Sequence, residues 1–102
     1  MAYISALNIA VAHLATRRFE QAIEWADLAL HDQPRLVPAM RVKAVANAHL
    51  GRLDEARAEL GRILAIDPKL TIAGFREYAH FEAREVLELY VAGLRLAGLP
   101  EE

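Results

Sequence analysis

Gly51-Arg-Leu-Asp-Glu-Ala-Arg-Ala-Glu-Leu-Gly-Arg-Ile-Leu-Ala-Ile-Asp-Pro68 reads as a turn, a helix and a stop. Gly51 suits the left-handed position that closes a preceding helix. Asp54 and Glu55 then fall at the positive end of a helix expected over Leu53–Ile66. Leu53, Ala56, Leu60, Ile63 and Leu64 recur at helical spacing and give it one apolar face. Asp67-Pro68 ends it, because the residue before proline is pushed out of helical geometry.

A weaker copy stands 34 residues earlier, from Ala15 to Pro34. Arg18 answers Arg52, Ala22 answers Ala56, Leu30 answers Leu64 and Pro34 answers Pro68. Phe19 against Leu53, Glu20-Gln21 against Asp54-Glu55 and Ala29 against Ile63 are chemically alike. The turn glycine is the main departure: Arg17 stands where the second copy has Gly51. A non-glycine residue there implies strain or a different turn.

The remaining chain reads as helices around these two. Tyr3–Thr16, Phe19–His31, Leu36–Leu50, Leu70–Tyr78 and Phe81–Ala97 carry helical apolar spacing, and no stretch alternates as a strand does. Pro38 lies in the first turn of the third helix, where a missing N–H costs nothing. Gly98, Leu99 and Pro100 mark the end of the sixth: a left-handed cap, a residue that folds back, and a block to continuation.

Composition narrows the function. The 102 residues fit one small domain, and 55% are apolar, enough for a core. A net charge of −2 offers no long-range attraction for nucleic acid or an anionic membrane. With no cysteine, disulfides and thiolate metal sites are excluded. Met1–Ala15 is apolar but lacks a basic start, and Arg17-Arg18 follow it, so it reads as a buried helix and not as a targeting signal. Insertion in a membrane is not expected, and a cytoplasmic location is.

A helix pair repeated every 34 residues is the signature of the tetratricopeptide repeat. Gly51-Arg-Leu-Asp-Glu-Ala56 resembles that family's glycine–x–aromatic–acid–acid–alanine turn. Ala22 and Ala56 would allow close approach of the paired helix, and Phe19 and Leu53 would fill the hairpin. Ala6 and Met40 stand where the family has tryptophan, with small residues four further on at Ala10 and Ala44. The resemblance implies an all-α fold of antiparallel helix pairs stacked as a short right-handed solenoid. One domain, 1–102, would divide into a first repeat at 1–34, a second at 35–68, and a partial third with a capping helix at 69–102. The fifth helix would take the first-helix place in the partial repeat, and the sixth would cover the exposed end.

Beyond Pro68 there is a second resemblance. Asp67-Pro68-Lys-Leu-Thr-Ile-Ala and Gly93-Leu-Arg-Leu-Ala-Gly-Leu-Pro-Glu101 are similar to the C-terminal tail of large bacterial signalling proteins. These carry a class III adenylate/guanylate cyclase domain, or a winged-helix domain, ahead of a tetratricopeptide array. It implies that the chain is the regulatory or interaction end of such a protein. No cyclase residue is carried over, since those residues belong to a domain that this sequence does not contain.

In the family, first helices line a concave groove. Mapping by repeat position places Leu7, Asn8, Val11 and Leu14 there from the first helix. Arg41, Val45, Ala48 and His49 follow from the third, and Phe75 and Arg76 from the fifth. Arginine offers a forked donor set for a peptide carboxylate or backbone. The lysine–asparagine carboxylate clamp of chaperone-binding members is not reproduced. On the sixth helix, Ala83, Val86, Leu87, Tyr90, Leu94 and Ala97 make the inward face. Leu89 and Leu96 fall off it and read as an association surface for another copy or for upstream domains of the same parent chain. Glu82, Glu85 and Glu88 share a solvated side, with Arg84 placed to pair with Glu88. His13, His31, His49 and His80 have no metal-ligand spacing, and no nucleophile motif or phosphate loop is present. The expectation is a binding module for a protein or peptide, with no cofactor, no metal, no nucleic-acid partner and no catalysis of its own.

Overall fold

The structure is a computed structural model and describes residues 3–81 and 83–102. Met1, Ala2 and Glu82, the last expected on the acidic side of the sixth helix, lie outside the described residues. The described residues are all-α: α1 (Tyr3–Ala15), α2 (Phe19–Asp32), α3 (Val37–His49), α4 (Leu53–Ile66), α5 (Ile72–Tyr78) and α6 (Arg84–Ala97). α1 packs on α2, and α3 on α4, as antiparallel pairs, and the second pair stacks on the first through α2 and α3. No helix among them is long and apolar enough to cross a membrane.

The 34-residue echo is present in the backbone itself. α1 and α3 each have 13 residues, and α2 and α4 each have 14. The residues entering α2 and α4 share one conformation, Arg18 at φ −92°, ψ 71° and Arg52 at φ −86°, ψ 69°. So do those leaving them, Gln33 at φ −131°, ψ 86° and Asp67 at φ −131°, ψ 79°. The hydrogen bonds recur as well. Arg18 N–H donates to the His13 carbonyl and Arg52 N–H to that of Asn47. Gln33 N–H donates to Ala29, and Asp67 N–H to Ile63.

The turn between α1 and α2 resolves the Arg17 departure. Arg17 adopts φ +62°, and Gly51 adopts φ +81°. Both turns have the paired bonds of a left-handed helix cap. The turn is therefore the same, and Arg17 bears the steric cost that Gly51 avoids.

α3 is the centre of the molecule. It touches α1, α2, α4 and α6, and Ala39, Met40, Val42, Ala44, Val45, Ala46 and Ala48 are all buried. Small residues permit this: Ala22 and Ala56, at equivalent places in α2 and α4, are wholly buried. Larger side chains fill the remaining space. Leu14, Ile63, Ile72, Phe75 and Leu94 are fully buried, each worth about 1.5–3 kcal/mol of transfer free energy. One ion network threads the pairs. Lys43 Nζ lies 2.8 Å from Asp27 of α2 and 3.0 Å from Glu59 of α4. Burial alone would lower the Lys43 pKa, but the bonds to these two carboxylates raise it.

The tail departs from the expected plan. α5 spans only Ile72–Tyr78, and the helix lying along α3 is α6. α6 also starts three residues later than expected, at Arg84, after Ala83 in extended geometry. Phe81 instead turns its ring onto Tyr90, with centroids 4.8 Å apart, and towards Phe75 at 6.3 Å. The stop is as read: Gly98 sits at φ +106°, and Leu99 N–H returns to the Leu94 carbonyl.

Candidate functional site

α6 runs antiparallel to α3. Its N-terminal half lies beside the C-terminal end of α3, where His49 Nε2–H donates to the Leu89 carbonyl at 2.8 Å. One turn along, Gly93 lies against Val45. This placement closes much of the groove expected over α3. Val45 and Phe75 are fully buried, and so are Leu14 and, nearly, Ala48. They belong to the core and not to a groove: α6 covers Val45 through Gly93 and Phe75 through Tyr90, and Leu14 lies on α1, which packs on α2 and α3. Leu89 is also buried, at 5% exposure, since α6 is packed on more than one side. Of the expected association surface, Leu96 alone is exposed.

Arg41 and Arg76 are both engaged. The Arg41 guanidinium lies 5.2 Å from the Phe75 ring centroid and donates to the Tyr78 hydroxyl at 3.3 Å, pinning α5 to α3. Its Nε is buried without a partner among the described residues. Arg76 grips Glu88 with both terminal nitrogens, at 2.8 and 3.0 Å. Hydrogen bonding to Arg76 holds the Glu88 carboxyl below the usual carboxylate range. Glu88 therefore pairs with α5 and not with Arg84, the partner expected on its own helix. Leu7 and Val11 remain half-buried on α1, and Asn8 remains exposed there.

A surface cleft lies where α6 meets the α1–α2 turn. It has a volume of about 410 Å³ and is lined by Arg17, His49, Arg84, Glu85, Glu88, Leu89 and Ala92. Its floor is largely apolar. The His49 imidazole stacks on Phe19, with ring centroids 5.2 Å apart and planes 9° from parallel. Leu89 and Ala92 continue the floor along α6. Arg17 and Arg84 are its cations. Neither Arg17 nor Arg84 forms an ion pair among the described residues, as is also true of Arg18, Arg35 and Arg41, whereas Arg52, Arg57, Arg62, Arg76 and Arg95 each hold a carboxylate. Of the acidic residues lining the cleft, Glu88 is already turned to Arg76.

The sequence reading brought only His49 to this cleft as a groove residue, and it missed the role of Arg17, Arg84, Glu85 and Ala92. One signal was available: the repeat register set Arg17 opposite Gly51, marking a residue kept where glycine is easier. Among the described residues, no three histidine, aspartate or glutamate side chains come together as metal ligands.

Comparison with known proteins gives a partial likeness. The chain is 37% identical over 62 residues to a protein named FK506-binding protein-like from Rattus norvegicus, and to the Homo sapiens protein of the same name. The likeness takes in 61% of this chain and 18% of each relative, so the chain spans less than a fifth of the length of the curated relatives it matches. No family model matches the chain. No solved structure matches it either.

Proposed function

We propose that the chain is a protein-interaction module of the tetratricopeptide-repeat type. The observation that carries this reading is the recurrence, 34 residues apart, of helix lengths, cap conformations and turn hydrogen bonds across two stacked helix pairs. Such pairs cannot bury their faces singly, and stacking them leaves extended side surfaces open to partners. The candidate surface here is the cleft at Arg17, His49 and Ala92. The apolar floor flanked by arginines supports the reading of a surface that holds a partner.

The parent protein is a separate part of the proposal. The tail Gly93–Glu101 resembles that of bacterial cyclase-like signalling proteins, which supports a regulatory module at the C-terminal end of such a protein. A winged-helix regulator or a free-standing adaptor of the same fold are the other readings. The shared segment is under a fifth of the FK506-binding protein-like relatives, and their name is not carried to this chain. The gene sequence upstream of the first codon separates these readings. A cyclase domain in frame supports the first, and an in-frame stop with no upstream domain leaves the adaptor.

The module itself is tested by photo-crosslinking in the native host. A benzophenone amino acid replaces Ala92 in the cleft or, as a control, the exposed Ala65 on α4. One defined adduct from Ala92 and none from Ala65 is expected. No adduct from Ala92, or the same mixture from both positions, would overturn the interaction reading at this cleft.

A further inference from the structure

We infer that the cleft between the α1–α2 turn and α6 takes an acidic peptide segment of a protein partner, seating an aspartate or glutamate carboxylate between Arg17 and Arg84. The inference rests on the interaction reading and names the partner's chemistry. Three observations carry it.

The first is charge. The cleft contains two guanidinium groups with no carboxylate partner among the described residues; of its two carboxylates Glu88 is held by Arg76, so Glu85 alone opposes them and the lining stays net positive. A guanidinium fork matches a carboxylate in shape as well as in sign. The second is strain. Arg17 occupies the left-handed conformation that its counterpart in the second pair fills with Gly51. Glycine would serve the turn better, so the turn does not explain the arginine; a role for its side chain does. That side chain lines the cleft. The third is the floor. Leu89, Ala92 and the His49 ring stacked on Phe19 give apolar area beside the charges. A segment that alternates acidic and apolar residues satisfies both.

Arg17→Gly separates binding from folding. It removes the guanidinium and relieves the backbone, so the variant folds at least as well as the parent. The probe is a capped peptide of alternating leucine, glutamate and aspartate, and its control has glutamine and asparagine at the acidic positions. Titration is followed by backbone amide chemical shifts on the whole chain.

The acidic peptide is expected to move the amides of Arg17, Arg84, Leu89 and Ala92, more weakly as salt is raised. The amide control should move them little. Affinity should fall about tenfold or more in Arg17→Gly and in Arg84→Gln, the loss of one hydrogen-bonded charge. Equal response to both peptides, an unchanged affinity in Arg17→Gly, or no response to either peptide would overturn the inference. An adduct at Ala92 together with silent peptides would remove the acidic partner and leave the interaction module. Loss of both results would remove the module at this cleft as well.

Discussion

Gly93 of α6 touches Val45 of α3 at backbone distance. A methyl group on Gly93 would stand 2.7 Å from Val45 Cγ1 and 2.9 Å from its Cα, closer than packed carbons approach. This contact allows α6 to lie along α3, and it sets where the His49–Leu89 bond and the cleft fall. Gly93→Ala should therefore destabilise the fold by about 1–3 kcal/mol, the usual cost of overfilling a packed core. Gly61→Ala is the matching control. Gly61 lies in the α4 interior with nothing within 4 Å of an added methyl group, and alanine there should stabilise by up to about 1 kcal/mol. Urea unfolding of both variants checks the opposite signs. A neutral Gly93→Ala would mean that α6 does not pack this closely.

The two turns make a paired test of backbone strain. Arg17 and Gly51 hold the same left-handed cap, at φ +62° and +81°. For an ordinary residue that conformation costs about 1–2 kcal/mol, and glycine loses part of the benefit through its freer unfolded chain. Arg17→Gly should stabilise by roughly 0.5–1 kcal/mol, and Gly51→Ala should destabilise by about 1–2 kcal/mol. Thermal midpoints that move in the same direction for both variants would show that the turns are not equivalent.

These turns also mark where the sequence was readable. The signals for α1 to α4 are local: Gly51 and Pro68 bound a helix, and Ala56 and Leu53 state which face is buried. Each element acts within a few residues of its own signal, and α4 accordingly runs from Leu53 to Ile66 as read. The tail is different because distant contacts place it. Nothing near Phe81 announces that its ring will lie on Tyr90 and delay the start of α6. Leu89 falls outside a single apolar stripe, and it looked exposed on that ground. It is buried because α6 packs on α3, α4 and α5 together, which widens the covered arc. The groove expected at Val45 and Phe75 is closed for the same reason, since these two are open only if α6 lies elsewhere. Arg17 was half legible: register exposed the missing glycine, but only the placement of α6 gives its side chain a cleft to line.

Tyr90 gives the fold a predictable alkaline limit. The residue is 3% exposed, and its ring packs between Phe75, at 6.0 Å, and Phe81, at 4.8 Å. Burial pushes its pKa from 10.0 up to about 12, with a smaller opposing effect from Arg41. The folded state then keeps a proton that the unfolded chain releases. The stabilisation is complete below about pH 10 and is lost as pH rises towards 12. Over that window the loss amounts to about 2–3 kcal/mol. Lys43, whose pKa is also raised, adds loss in the same direction. Comparison with Tyr90→Phe isolates the tyrosine: the variant should lose less stability between neutral and alkaline pH. Parallel curves for the two proteins would place the hydroxyl in contact with water.

The C-terminal residues act as the cap of α5. Ile72 N–H donates to the Pro100 carbonyl and Ala73 N–H to that of Glu101, each at 2.9 Å, while Gly74 N–H is met by the Thr71 hydroxyl. The first turn of a seven-residue helix is thus satisfied by the tail, and so short a helix does not hold alone. Arg95 and Glu101 fix the tail by a two-point ion pair on the surface. A chain ending at Leu99 keeps the α6 cap but loses both carbonyl partners. Ile72 is buried, and its orphaned N–H should cost about 1–3 kcal/mol, so the α5 amides Phe75 and Ala79 should exchange roughly tenfold faster or more while α4 is unchanged. Glu101→Gln removes only the exposed charge and leaves the carbonyl in place, and exposed pairs contribute little. Exchange in that variant should stay near that of the parent. If the substitution loosens α5 as much as the truncation does, the ion pair and not the backbone cap holds the helix.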